Sequence, residues 1–89
     1  MQIESEKDFP ALRERLTKWK RQFPMFIHDV SRIESIVEKH IQNYSIAGVN
    51  YRQTKQQRYI ERAEQEIEEI NRVLATVEKL ELMALLSKR

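Results

Sequence analysis

A chain of 89 residues that is 34% charged and 40% hydrophobic, with one glycine, two prolines and no cysteine, is bounded to one small domain rich in helix. One glycine excludes a glycine-rich phosphate cradle, and the lack of cysteine excludes disulfides and thiolate chemistry. The net charge of +2 is too mild to imply nucleic acid by itself, and no uninterrupted apolar run is long enough to span a membrane.

Residues 1–7 are polar and acidic, unlike a signal peptide, and read as a flexible leader ahead of a single domain over 8–89. With no cysteine in the chain, this suits an intracellular compartment, cytoplasmic or nuclear. Asp8 is placed to cap a helix, with Phe9 and Pro10 in its first turn, where proline loses no hydrogen bond. From there Phe9, Leu12, Leu16, Trp19, Phe23, Phe26, Val30, Ile33, Val37, His40 and Tyr44 recur at alternating steps of three and four. That heptad pattern puts one apolar stripe along one side of a helix, and such a stripe needs another helix to cover it.

Pro24 interrupts this first arm, residues 8–44. Proline removes a backbone hydrogen bond and disfavours helix at Phe23. The stripe nevertheless passes through Pro24 in register with no capping residue beside it, which favours a kink over a break. A break would give three helices near 8–22, 25–43 and 52–87.

Residues 45–51 hold the only glycine, Gly48, and follow Asn43 closely, so they are the predicted loop. A second arm then runs over 52–87 with no breaker, with a less regular stripe at Ile60, Ala63, Ile67, Ile70, Leu74 and Val77. Phe9 to Tyr44 and Arg52 to Ser87 are each 36 residues long, about 54 Å at ~1.5 Å per residue. Equal arms around one loop predict an all-α, coiled-coil-like antiparallel helical hairpin kinked at Pro24. Folded at Gly48, it would place Val37 near Ile60, Val30 near Ile67 and Phe23 near Leu74. The alternative is a three-helix bundle.

A lone hairpin leaves apolar groups uncovered. Leu80, Leu82, Met83, Leu85 and Leu86 nearly encircle the end of the second arm, and a helix apolar on most sides is buried on most sides. Two hairpins joined as a four-helix bundle would cover them, as would a different helical protein. Trp19, Phe23 and Phe26 form a second predicted contact around Pro24, since tryptophan beside basic residues is a common interface anchor.

The candidate chemistry is sparse. There is no H-E-x-x-H or E-x-x-H pattern, and His28 and His40 are more than three helical turns apart, so no metal or cofactor site is expected. His28 reads as a surface residue. His40, inside the stripe, reads as a polar residue that fixes register. The Glu64, Glu66, Glu68, Glu69 run reads as a solvated face. Arg52, Lys55, Arg58 and Arg62 read as one basic stripe at the start of the second arm, with Tyr51 and Tyr59 beside it. Cations interleaved with aromatics can track phosphates and stack bases, or meet an acidic protein surface. The preceding turn departs from helix-turn-helix spacing, because Tyr44 stands where a small residue is needed. No catalytic residue is identified, and the chain is expected to be no enzyme. The expected function is a scaffold or adaptor subunit that self-associates or binds a helical protein; the alternative is a nucleic-acid-binding regulator using the basic stripe.

Overall fold

A computed structural model describes residues 1–87; the last two residues of the predicted domain lie outside the described residues. A 3-10 turn over Glu6–Asp8 leads into α1, Phe9–Gln22. A second 3-10 turn, Pro24–Phe26, leads into α2, Ile27–Thr54, and α3 spans Gln57–Ser87. The fold is all-α, as expected.

α1 begins as its residues dictate. The Ser5 hydroxyl accepts from the Lys7 N–H, and the Asp8 carboxylate accepts from the Glu4 and Ser5 N–H groups, so the two side chains cap the short turn ahead of the helix. Asp8 therefore points back to the leader, without a side-chain bond into α1. Pro10 lies in the first turn of α1.

Pro24 does more than kink the chain. Phe23, held out of the helical region by the proline that follows it, has φ −128° and ψ 72°. The chain then reverses, and α2 runs back along α1. Arg13 pairs with Glu38 at 2.7 Å and Lys20 with Glu34 at 3.0 Å, and the Phe9 and Tyr44 rings meet edge to face with centroids 5.3 Å apart. The favoured kinked arm is thus replaced by two antiparallel helices. The unbroken stripe gave no sign of this, because both halves face the same core.

The predicted loop at 45–51 is helical. A glycine ends a helix by taking a positive φ, and Gly48 does not. Its cost inside a helix is only about 1 kcal/mol, and buried Ala47 beside it holds the segment in place. The reversal comes at Lys55 and Gln56. Lys55 is left-handed at φ 59°, and its N–H donates to the Tyr51 carbonyl at 2.7 Å. Moving the turn moves the register. A fold at Gly48 would set His40 opposite residue 57, but it meets Glu66, nine residues further along α3.

The result is an up-down-up bundle measuring 54 × 18 × 16 Å. Ile3, Phe9, Leu12, Leu16, Trp19 and Phe23 meet Val30, Ile33, Val37 and Ile41 from α2, and Ile70, Leu74, Val77 and Ala84 from α3. Ile3 belongs to the predicted flexible leader, yet it is 1% exposed. Residues 1–4 lie against α3, where the Met1 ammonium reaches Glu78 at 2.7 Å. Burying one isoleucine is worth ~1.5–3 kcal/mol, which offsets the ordering of a few residues.

Candidate docking surfaces

The end of α3 carries four exposed large apolar residues. Leu82, Met83, Leu85 and Leu86 are 58%, 59%, 51% and 54% exposed. Because α2 runs antiparallel to α3, the Pro24 turn is at this same end, and it adds exposed Met25 and Ile27. Leu80 is half-buried and packs against the core. The helix continues through these residues because leucine, methionine and alanine are all good helix formers, and buried Ala84 anchors it to the bundle.

Two of the aromatic residues predicted at a partner contact are core residues. Trp19 is 3% exposed and Phe23 is fully buried, with ring centroids 5.1 Å apart. The reversal at Pro24 turns both inward, under α2 and the end of α3. Phe26 is half-buried against the same cluster.

The charges around this end are unevenly matched. Glu81 is paired with Arg15 at 3.2 Å and Glu78 with the Met1 ammonium, which holds its carboxyl below the usual range through a hydrogen bond. Lys18, Arg21 and Lys79 are exposed and have no carboxylate partner among the described residues.

The four basic residues predicted as one stripe are divided by the α2–α3 turn. Arg52 is in the last turn of α2, Lys55 in the reversal, and Arg58 and Arg62 in the first turns of α3. Lys55 Nζ lies 5.4 Å from the Tyr51 ring centroid, and the Arg58 guanidinium lies 4.7 Å from that of Tyr59. Arg58 also donates to the Tyr59 hydroxyl at 2.9 Å, and Arg62 donates to Glu66 at 3.0 Å. Tyrosines beside cations were legible in the sequence, but their placement around a helix-to-helix turn was not.

Glu66 is the one buried charged residue among those described. It accepts from Arg62 on one oxygen and hydrogen-bonds His40 Nδ1 with the other. His40 thus has a polar partner across the α2–α3 interface, and Glu66 departs from the solvated face expected of its acidic run. His28 is exposed. Arg13 and Glu38 shift each other: the guanidinium hydrogen bond lowers the Glu38 pKa, and the carboxylate raises that of Arg13. Burial, with a smaller push from Glu6, raises the pKa of Tyr44.

Among the described residues, no three His, Asp or Glu side chains gather as metal ligands. No described helix is long and apolar enough to cross a membrane. Comparison with known proteins finds no matching family model, no matching curated protein and no matching solved structure.

Proposed function

We propose that this chain is a non-enzymatic helical interaction module, a scaffold or adaptor subunit that self-associates or binds a helical protein through the end of α3. The observation that carries this reading is the run of Leu82, Met83, Leu85 and Leu86, each more than half exposed on a helix whose opposite face is in the core. Large contiguous apolar patches on small soluble domains are characteristic of binding surfaces. Each such side chain contributes ~1.5–3 kcal/mol when covered, so covering several is enough to hold an assembly together.

The test is the double substitution Leu82→Glu with Leu86→Glu, followed by light scattering after size exclusion. Both positions are exposed, so helicity is retained while the assembly shifts to smaller species. A wild-type chain that stays monomeric and monodisperse at all concentrations, and takes up no helical protein, would overturn the reading.

A further inference from the structure

The core groove between α2 and α3 is filled by α1 along only half its length. α1 has 14 residues and α2 has 28. Beyond the Phe9–Tyr44 contact, the groove runs on toward the Lys55 reversal as an open cleft of about 290 Å³. Its floor is Tyr44, Gly48 and Tyr51 from α2, and Ile60, Ala63 and Ile67 from α3, all half-buried. At steps of three and four these continue the buried faces of Val37 and Ile41 on α2 and of Ile70 and Leu74 on α3. The cleft is therefore core surface that lacks its third helix.

Gly48 marks the cleft as more than a packing remainder. It is the only glycine in the chain, and it sits inside a helix, where alanine would be more stable. A Cβ at this position would meet nothing within 4 Å, so no internal contact requires glycine. What glycine does provide is a flat floor on which another backbone can approach closely.

We infer that this groove docks a short amphipathic helix of another protein, one with an acidic edge and a basic edge. The charge of the rim selects that occupant. Glu4 and Glu64 line the cleft, and exposed Arg52 stands one helical turn after Gly48 on α2. None of the three has an ion-pair partner among the described residues, so each is free to meet a charge on an occupant. A nucleic acid would bring phosphates against Glu4 and Glu64. A second copy is a poor match as well. Its own exposed apolar stripe, Leu82 to Leu86, has Lys79 beside it, while Glu78 and Glu81 are already engaged.

The test uses three fluorescent helical peptides of about 14 residues, enough to pass the length of the cleft at ~1.5 Å per residue. All carry the same leucine and alanine stripe. One has an acidic and a basic edge, one has two acidic edges and one has two basic edges. The mixed peptide is expected to bind roughly tenfold tighter than either of the others at low salt, with the difference shrinking at high salt. Gly48→Leu is expected to abolish binding while raising the thermal midpoint, because leucine is the better helix former; loss of binding then cannot come from unfolding. Arg52→Glu is expected to transfer the preference to the peptide with two basic edges. All peptide titrations are made on the Leu82→Glu, Leu86→Glu variant, in which the α3 end no longer offers its exposed leucines, so this groove and the α3 end stand or fall separately. The inference is overturned if no peptide binds, if binding ignores Gly48→Leu, or if a DNA oligonucleotide binds in the groove instead. It is also overturned if the wild-type chain self-associates in a way that Gly48→Leu abolishes.

Discussion

The side-chain amide of Asn71 pairs with both backbone groups of Ile3: its Oδ1 accepts from the Ile3 N–H at 2.7 Å, and its Nδ2 donates to the Ile3 carbonyl at 2.8 Å. An amide is the one neutral side chain that offers a donor and an acceptor side by side, so it matches an extended backbone as a neighbouring strand would. The pairing lets Ile3 drop into the core with its peptide groups satisfied.

Asn71→Ala removes both bonds and leaves part-buried groups on Ile3 unmatched, so it should cost ~1–3 kcal/mol. Ile3→Ala should cost ~2–5 kcal/mol through the cavity it leaves. The two losses act on one contact, so the double variant should lose less than their sum. Urea unfolding followed by Trp19 emission measures all three. Fully additive losses would show that the amide and the isoleucine act independently.

Most of the core was legible in the sequence because a helix repeats its buried face every three or four residues. Phe9, Leu12, Leu16, Trp19, Val30, Ile33, Val37, Ile70, Leu74 and Val77 were all named from spacing and are all buried. Spacing has no sense of direction, however. It could not show that the stripe doubles back at Pro24, and that reversal is what buries Trp19 and Phe23 in the core. The loop was misplaced because glycine is a strong turn signal, while the real turn uses a left-handed lysine that has no compositional mark. The basic stripe was split by the same error. Ile3 was missed because a single apolar residue has no period, and Glu66 because its partner His40 is 26 residues away in sequence. Leu82, Leu85 and Leu86 were legible as excess apolar surface and are exposed, whereas Leu80 is half-buried against the core.

Lys55 holds φ 59° at the α2–α3 reversal, where a Cβ crowds the following carbonyl. Its side chain is exposed and its backbone N–H closes the helix. Lys55→Gly should therefore stabilise the fold by ~0.5–1 kcal/mol, since relief of strain outweighs the added freedom of the unfolded chain. Lys55→Val should destabilise it, because a β-branched residue is least tolerant of this region. Thermal midpoints of the three proteins check the order. A lower midpoint for glycine than for lysine would mean that the Lys55–Tyr51 contact contributes more than the strain costs.

The Arg13–Glu38 pair gives a pH dependence whose sign follows from its geometry. The Arg13 hydrogen bond, opposed in part by desolvation, lowers the Glu38 pKa in the folded state. A depressed carboxylate contributes stability that is present above its unfolded pKa of about 4.3 and is lost as pH falls through the folded value. Both side chains are 40% or more exposed, so screening by water and salt holds the contribution to ~0.2–1 kcal/mol. Glu38→Gln should match wild type at pH 2, where both are uncharged at this position, and fall below it by that amount at pH 7. Urea midpoints at the two pH values at low ionic strength measure the gap, which should narrow in added salt. An equal gap at both pH values would mean that Glu38 acts through packing, with its charge irrelevant to the fold.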